Sequence, residues 1–194
     1  MIAGLILAAG EGRRFGAEPK LLAELGGRPL LEHAIAAQCA VPELEQVVVV
    51  LGARAEEIRA RVELMRAEVV VCDAWRDGQA ASLRHGLAEL READKVLVTL
   101  GDQPLITPEL VARFVVEPPG TRAVYNGRPG HPVVLGRAQI QAAMSLTGDR
   151  GARDLLRGGA EIELGAQGRG DNPAQDVDTP EDLERLRNEA RAVL

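Results

Sequence analysis

The sequence of 194 residues predicts an α/β fold in which helices cover both faces of a mostly parallel central sheet. Short apolar runs of about five residues, rich in β-branched side chains, alternate along the chain with amphipathic stretches of helical length. The runs are apolar throughout rather than at every second position, which is typical of strands buried on both faces of a parallel sheet. Because strand and helix alternate, we expect right-handed crossovers and three layers.

The first half of the chain contains four predicted strands and three predicted helices. Ligands of open parallel sheets bind at the carboxyl ends of the strands, so the loops after the first, third and fourth strands are candidates for a site. The strands are IAGLIL at 2–7, QVVVVL at 46–51, EVVVC at 68–72 and KVLVTL at 95–100, and the helices cover 29–40, 53–65 and 79–93.

The second half departs from this alternation. Thr107 as N-cap and Pro108 as the first helical residue predict a helix over 107–117. No repeat or linker interrupts the chain, so we expect one domain over 1–194. The remaining predicted elements are a small β excursion made of RAVYN at 122–126 and HPVVL at 131–135 joined by GRPG, a short helix at 152–158, a short strand at 161–164, and a closing helix from 178 to 194 capped by Thr179, Pro180 and Asp182.

The composition argues against several classes of protein. The net charge of −6 argues against general binding to nucleic acid or to a membrane surface, which requires a basic field. No segment approaches the ~20 consecutive apolar residues of a membrane-spanning helix. The two cysteines, Cys39 and Cys72, lie far apart and cannot form a zinc site alone. We therefore expect two reduced thiols in a cytoplasmic protein.

The first strand runs into a glycine-rich loop, LAAGEGRRFGAEPK. Gly10, Gly12 and Gly16 give the spacing G-x-G-x-x-x-G, which is longer than the dinucleotide-binding fingerprint. Lys20 lies beyond the P-loop spacing from Gly16, and no hydroxyl residue follows it, so the P-loop pattern fails as well. The loop therefore matches neither of the two standard phosphate loops.

The chemistry of the same loop still suits a phosphate. Glycines let backbone N–H groups turn toward an anion. Arg13 or Arg14 can form paired hydrogen bonds with phosphate oxygens, and Lys20 adds a point charge. The alternative is a solvated basic turn, but the position directly after the first strand of an α/β sheet favours phosphate binding.

Acidic residues follow the fourth strand and precede the closing helix. Asp102 comes directly after a buried strand and is well placed to hold Mg²⁺, which takes few carboxylates and keeps water and phosphate oxygens as its other ligands. Asp176 and Asp178 would point to the same side if their segment is a short strand. The alternative for Asp178 is that it caps the closing helix or stabilises its positive end.

Five groups of motifs, found in family order, resemble the nucleotidyltransferase family that includes the molybdenum cofactor guanylyltransferases and cytidylyltransferases. The L-A-A-G form, with Ala9, resembles the cytidylyltransferases, because the guanylyltransferases usually carry a second glycine there. One departure is Cys72, since the family often has Asn three residues before Trp75. The motifs span nearly the whole chain and are LAAGEGRRFGAEPK, WRDGQAASLRHGL, GDQP, GHPVVL with GDRGARDLL, and DVDTPEDL.

The resemblance implies a Rossmann-like nucleotidyltransferase fold, of the glycosyltransferase A-like type, whose loop wraps the triphosphate of CTP or another NTP. It implies Arg14, Lys20 and Asp102 as catalytic residues, and Asp102 and Asp178 as ligands of Mg²⁺, with Asp176 a weaker candidate. The alternative for Ser82 is an ordinary position near a helix start. The residues implied to bind the nucleotide are Leu7, Ala8, Ala9, Gly10, Gly12, Arg14, Gly16, Lys20, Gly78 and Ser82.

The second substrate implied by the resemblance is an anionic small molecule that meets His131, Arg150 and Arg153. A structural role for His131, beside a proline, and a surface helix start for the two arginines are the alternatives. The implied reaction transfers CMP from CTP to the phosphate of a molybdopterin-type acceptor, and pyrophosphate leaves. Two other functions stay open: a maturation partner that hands the cofactor to a molybdoenzyme, and an NAD(P)H-dependent oxidoreductase, as assigned to some family members.

Overall fold

The computed structural model describes residues 1–156, 158–164 and 175–191. Within these ranges, four short 3₁₀ turns accompany the helices and strands, at Arg13–Phe15, Lys20–Leu22, Asp73–Asp77 and Ala152–Leu156. In chain order the elements are β1 (Ile2–Ala8), β2 (Glu24–Leu25), β3 (Arg28–Pro29), α1 (Leu30–Cys39), β4 (Gln46–Leu51), α2 (Ala55–Arg61), β5 (Glu68–Val71), α3 (Gln79–Glu89), β6 (Lys95–Leu100), α4 (Pro108–Val115), β7 (Arg122–Tyr125), β8 (Arg128–Gly136), α5 (Arg137–Ala143), β9 (Glu161–Glu163) and α6 (Pro180–Arg191).

The main sheet has seven strands in the order β5–β4–β1–β6–β8–β7–β9. The four strands from β5 to β6 are mutually parallel, and they are the four strands predicted in the first half of the sequence. Strand β8 runs antiparallel to both β6 and β7, and β9 is parallel to β7. The predicted α/β class, a mostly parallel sheet with a small β excursion, is therefore confirmed.

Two hydrophobic cores lie on opposite faces of the sheet. Ile6 and Val49 face the core that packs against α1, α2 and α4, whereas Leu5 and Val50 face the core that packs against α3 and α5. Consecutive residues of a strand point to opposite faces, so a strand between two cores needs an apolar side chain at every position. This requirement explains the unbroken apolar runs of the sequence.

Helix α3 lies unusually close to the sheet at Gly86. A Cβ atom there would lie 2.5 Å from Leu5 Cδ1 and 2.6 Å from Val50 Cγ2. A larger residue would force the Leu5 and Val50 side chains to shift in a closely packed core. The contact therefore lets α3 pack closely against β1 and β4.

A third, smaller core joins α6 to the β2–β3 hairpin through Leu25, Leu30, Val177, Leu183 and Leu186. The cap of this helix is made as the sequence predicts. The Asp182 carboxylate accepts hydrogen bonds from the backbone N–H and the hydroxyl group of Thr179, both at 2.9 Å. The backbone N–H of Asp182 in turn donates to Thr179 Oγ1 at 3.2 Å, which completes a capping box.

The structure differs from the sequence prediction in the second half. The turn between β7 and β8 is the two-residue pair Asn126–Gly127, with φ of 51° and 73°, rather than GRPG at 127–130. Positive φ at both central residues is the requirement of a tight hairpin turn of type I′. Within the short helix predicted at 152–158, Ala152–Leu156 form a 3₁₀ turn, and position 157 lies outside the described residues. Helix α5 and the β2–β3 hairpin were not predicted. No described helix has the length and apolar character needed to cross a bilayer.

Candidate active site

The loops after the central strands meet at the carboxyl edge of the sheet, and backbone hydrogen bonds join them. Ala53 N donates to Ala9 O at 3.1 Å, which links the loops after β4 and β1. Val177 N donates to Asp102 O at 3.0 Å, which places the segment before α6 beside the loop after β6. Residues far apart in the sequence therefore come together at one edge.

Four charged residues singled out in the sequence form one cluster at this edge. Lys20 Nζ lies 2.5 Å from Asp102 Oδ2 and 3.1 Å from Asp178 Oδ1. Arg14 Nη2 lies 2.8 Å from Asp178 Oδ2. The side chains of Lys20 and Asp102 are 11% and 20% exposed, whereas Arg14 is 71% exposed, so the lysine lies at the inner end of the cluster and the arginine at its outer end.

Burial and neighbouring charges shift the pKa values of Lys20 and Asp176. Burial alone would lower the pKa of Lys20, but the charges of Asp102 and Asp178 and their hydrogen bonds outweigh it, so the pKa is raised and the ammonium stays protonated. Partial desolvation of the Asp176 carboxyl group, followed by the nearby charge of Asp102, raises the pKa of Asp176 to about 6. Gln103 Nε2 donates a hydrogen bond to Asp176 Oδ1 at 2.8 Å, which lowers the pKa of Asp176 but does not offset the two effects that raise it.

The two acids before α6 have different surroundings. Residues 175–178 do not form a strand, so the alternation that would point Asp176 and Asp178 to one side does not apply. The Asp178 carboxylate faces Lys20 and Arg14, while the capping contacts of α6 are made by Thr179 and Asp182. Capping by the Asp178 side chain is therefore not what the structure shows.

The glycine-rich loop wraps around the lysine stem. Gly12 has φ of 63° and Gly16 has φ of 109°, conformations that favour glycine. A Cβ atom on Gly12 would lie 3.1 Å from Lys20 Cβ, so the loop packs directly against this side chain. Arg13 is 80% exposed and pairs with Glu11 at 2.6 Å.

A first cavity of about 690 Å³ opens beside the loop and the Asp102 carboxylate. Ala8 does not line it, because its side chain points to the opposite face of the sheet and packs into the core with α1 and α2. Arg14, Gly16 and Lys20 lie outside its lining as well. The residues predicted to bind the nucleotide that do line it are Leu7, Ala9, Gly10, Gly12, Gly78 and Ser82.

Trp75 and Arg76 form a wall of the first cavity that the sequence reasoning did not assign to the site. The Arg76 guanidinium carbon lies 4.2 Å from the centroid of the Trp75 ring, a cation–π contact. Gly52 permits this placement, because a Cβ atom there would lie 2.6 Å from Ala9 O and 2.7 Å from Trp75 Cβ. Trp75 begins the motif WRDGQAASLRHGL, and this position is the feature of the sequence that indicates a place near the site. The resemblance implies only Gly78 and Ser82 of this motif as nucleotide ligands.

A second cavity of about 490 Å³ adjoins the first, and the two share Gln79, Leu100 and Asp149. His131, for which contact with the second substrate stays a prediction, lines this cavity. Two basic residues of the β7–β8 hairpin that sequence reasoning missed, Arg122 and Arg128, line it too. The sequence indicates only that both arginines lie in the predicted β excursion; it does not indicate that they line a cavity.

Of the two arginines predicted to meet the second substrate, only Arg150 has a side chain that the structure describes. Arg150 is exposed and lines neither cavity, although its neighbours Asp149 and Gly151 both line the second one. The side chain of Arg153 lies outside the described part of the chain. Arg150 therefore lies beside the second cavity rather than in its lining, and contact of Arg150 and Arg153 with a second substrate stays a prediction.

The segment 146–151 forms a wall beside the cavities, because Asp149 lines both and Gly151 lines the second, and it packs on the first half of α3. Ala80 N donates to Gly148 O at 3.0 Å, and the Arg84 guanidinium donates to Leu146 O. A Cβ atom on Gly78, which has φ of 100°, would overlap the Gly148 backbone and lie 2.8 Å from Asp149 N. The close contact at Gly78 therefore holds this wall in place.

The carboxylates of Asp102 and Asp178 fit a hard divalent cation. No group of three or more His, Cys, Asp or Glu side chains suited to a metal occurs in the described ranges 1–156, 158–164 and 175–191. The two carboxylates nevertheless converge on a single cation, the Lys20 ammonium. Oxygen ligands in this number suit Mg²⁺ or Mn²⁺, which complete their shells with water and substrate phosphate.

A glycine-rich loop, a lysine and two converging carboxylates thus meet at the carboxyl edge of the sheet, beside the first cavity. The chain belongs to the family of MobA-like NTP transferase domains, whose family model matches residues 4–166. It is accordingly an enzyme of the nucleotidyltransferase class.

Relatives extend the match beyond this domain. The chain is 35% identical over 196 residues to nicotine blue oxidoreductase from Paenarthrobacter nicotinovorans, covering 95% of this chain and 96% of the relative. It is 40% identical over 131 residues to 2-C-methyl-D-erythritol 4-phosphate cytidylyltransferase from Ralstonia nicotianae, covering 62% of this chain and 52% of that one.

Among solved structures, Rv0371c from Mycobacterium tuberculosis H37Rv superposes with a TM-score of 0.83 at 30% identity, covering 96% of this chain and 97% of that one. A further structure of Rv0371c, a complex with manganese, has a TM-score of 0.76 at 28% identity and covers 96% of this chain and 98% of that one.

Proposed function

We propose that the protein is a Mg²⁺-dependent cytidylyltransferase that transfers CMP from CTP to the phosphate of a molybdopterin-type acceptor and releases pyrophosphate. The observation that carries this proposal is the cluster of Arg14, Lys20, Asp102 and Asp178, which adjoins the first cavity through Asp102. It offers two cationic groups for a triphosphate and two carboxylates for a metal beside the same glycine-rich loop. The L-A-A-G form of the loop and the match to a named cytidylyltransferase support CTP as the donor.

The proposed chemistry needs no nucleophile from the protein. A phosphate oxygen of the acceptor attacks the α-phosphorus of CTP in line, the bond from this phosphorus to the bridging oxygen breaks, and pyrophosphate leaves. The backbone N–H groups of Gly10 and Gly12 orient the triphosphate, and Arg14 and Lys20 neutralise its charge. Asp102 and Asp178 would hold Mg²⁺, which when bound neutralises the phosphate oxygens and the leaving pyrophosphate.

The second cavity is the proposed site of the acceptor. It adjoins the first cavity across Gln79, Leu100 and Asp149, so an acceptor within it could present its phosphate to the nucleotide directly. His131 and the hairpin arginines Arg122 and Arg128 line this cavity and supply the groups that would bind an anionic molecule. We also infer one domain over 1–194 and, from the unpaired thiols Cys39 and Cys72, a cytoplasmic location.

A turnover assay tests the metal assignment. Pyrophosphate release and transfer of α-labelled CMP to molybdopterin are measured for the wild type and for Asp102→Asn. Loss of one carboxylate ligand should lower kcat by at least about 10²-fold. The matched control is Asp73→Asn, which removes an exposed acid from the loop after β5 that lines neither cavity. Full activity in the Asp102 variant would contradict the assignment.

A binding assay tests the choice of nucleotide. Trp75 is the only tryptophan in the chain and lines the first cavity, so its fluorescence reports occupancy there. We expect CTP with Mg²⁺ to change this fluorescence at lower concentration than GTP or ATP. A preference for GTP would show that Ala9 does not determine the base.

The second candidate function is an NAD(P)H-dependent oxidoreductase. It is favoured by the 35% identity to nicotine blue oxidoreductase over almost the full length of both chains. Thermal unfolding with CTP, GTP, ATP, NADH or NADPH, each with and without Mg²⁺, separates the two functions. A ligand at ~100 times its Kd adds about 2.7 kcal/mol of stability. A shift with NADH or NADPH alone would favour the oxidoreductase. Binding of molybdopterin without pyrophosphate release from CTP would instead indicate a maturation partner that delivers the cofactor to a molybdoenzyme.

A further inference from the structure

Lys20 lies where a bridging cation would be expected between the two acids. Its Nζ is 2.5 Å from Asp102 Oδ2 and 3.1 Å from Asp178 Oδ1, so one ammonium group contacts both carboxylates. The side chain is 11% exposed and its stem packs against Gly12. Among the charged side chains of the cluster, it is the one that contacts both acids.

We propose that the Lys20 ammonium and a divalent metal ion are alternative occupants of one cation site formed by Asp102 and Asp178. The proposal rests on the metal assignment of the proposed function. A Mg²⁺ ion held by Asp102 Oδ2 and Asp178 Oδ1, at the usual distance of about 2.0–2.1 Å, would lie close to the position of Lys20 Nζ, which contacts the same two oxygens. The metal ion and the ammonium group would repel each other at so short a distance. Lys20 must therefore leave its position when the metal enters.

The resting state has an electrostatic reason. Two carboxylates without a cation between them repel each other in a partly desolvated position, and Lys20 removes this repulsion. Arg14 does not compete for the shared position, because it contacts the other oxygen of Asp178, Oδ2, at 2.8 Å. Lys20 is thus an internal counter-ion, and Arg14 an outer partner that can stay in place when a metal binds.

The displaced lysine links metal binding to nucleotide binding. Once it leaves the carboxylates, its ammonium is free to contact the triphosphate in the adjoining first cavity. Both the metal and the nucleotide then favour the state in which Lys20 has moved, so each raises the affinity for the other. Without a nucleotide, the metal must compete with Lys20 and binds weakly.

A labelling experiment on the wild-type protein tests the exchange directly. The chain has only two lysines, Lys20 and Lys95. Lys95 Nζ donates to Glu117 O at 3.1 Å, away from the site, and serves as the internal reference. Pulse acetylation followed by mass spectrometry is carried out along a Mg²⁺ titration at constant ionic strength. We expect Mg²⁺ to increase the labelling rate of Lys20 several-fold relative to Lys95, whereas an unchanged or reduced rate would overturn the proposal.

A metal-binding measurement provides the second test, using Mn²⁺ without nucleotide and detecting free Mn²⁺ by electron paramagnetic resonance. Lys20→Met removes the competing cation and should bind Mn²⁺ at least tenfold more tightly than the wild type. Lys20→Arg keeps the charge and should bind like the wild type. Arg14→Met, the matched control, removes a cation that contacts Asp178 alone and should change the affinity far less. Equal or weaker Mn²⁺ binding by Lys20→Met would refute the shared site.

These measurements separate the failure of this inference from failure of the proposed function. Neither uses CTP, an acceptor or turnover. Exchange of Lys20 for metal in a protein that shows no nucleotidyl transfer would support the shared cation site and reject only the reaction. Transfer activity in a protein whose Lys20 does not respond to metal would reject the shared site and leave the reaction intact.

Discussion

Substitution of Gly78 by alanine should loosen the wall beside the two cavities. Gly78 has φ of 100°, and a Cβ atom would overlap the backbone of Gly148. Backbone strain in this region costs about 1–3 kcal/mol for a residue other than glycine. Displacement of the wall would also remove the hydrogen bond from Ala80 N to Gly148 O, worth about 1 kcal/mol.

The expected loss in the free energy of unfolding is therefore about 2–4 kcal/mol. For a protein of this size each kcal/mol lowers Tm by about 2–4 °C, so the variant should unfold about 4–16 °C below the wild type. Calorimetry measures Tm, and Trp75 fluorescence measures CTP binding, which should weaken because Gly78 lines the first cavity.

The control is Gly148→Ala, on the opposite side of the same contact. Gly148 has φ of 66°, but a Cβ atom added there would have no neighbour within 4 Å, so its substitution introduces strain without overlap. We expect it to cost about 1–2 kcal/mol. If Gly78→Ala and Gly148→Ala unfold at the same temperature, the packing of the wall on α3 does not contribute the stability argued above.

Three further substitutions test contacts outside the cavities. Asp182→Ala removes the acceptor of the Thr179 capping box and should cost about 1–2 kcal/mol in urea unfolding, whereas Asp182→Asn should cost less. The hydrogen bond from the N-terminal ammonium, followed by Arg137, lowers the pKa of Asp94 to about 2. The ionised carboxylate therefore stabilises the fold above its unfolded pKa of about 3.9, and this stability is lost as the pH falls through about 2, so Asp94→Asn should flatten the acid limb of stability between these values. Arg66 donates to three carbonyl groups at 2.8–2.9 Å, at the end of α1 and in the loop after it. Arg66→Met should therefore lower the free energy of unfolding by about 2–4 kcal/mol. A loss under about 1 kcal/mol would mean that water replaces these hydrogen bonds.

The parallel half of the sheet was predictable because each strand separates two cores. Val48 and Val49 are both fully buried, one on each face, and such pairs produce the apolar runs that identify the strands. Helix α5 gives no comparable signal, since Ala143 is its one buried residue and no apolar stripe forms. The Asn126–Gly127 turn is a favoured hairpin dipeptide in the sequence, but the neighbouring GRPG carries turn residues as well and displaced it in the prediction.

The site was predictable where its residues follow strands or lie in motifs. Lys20, Asp102 and Asp178 meet as the resemblance implied, although their roles stay predictions. Arg122 and Arg128 could not be assigned, because their relation to the cavity depends on the antiparallel addition of β8 to β6. Whether a side chain in a loop faces a cavity, as Asp149 does and Arg150 does not, is decided by local backbone geometry rather than by residue type.

The two cavities lie on the two sides of the border between the parallel and antiparallel halves of the sheet, and we expect them to differ in how freely they change as sequences of the family diverge. The first cavity is built at the carboxyl ends of β1 and β6 and the start of α3, in the middle of the molecule, where most changes would disturb both cores. The second cavity draws on β7, β8 and residues 149–156, toward the edge of the sheet. Mutations accumulating at that edge can change the shape and charge of the second cavity while the central architecture is inherited unchanged. The exception is the set of residues that line both cavities, because a substitution there would alter both. These residues are Gln79, Leu100 and Asp149.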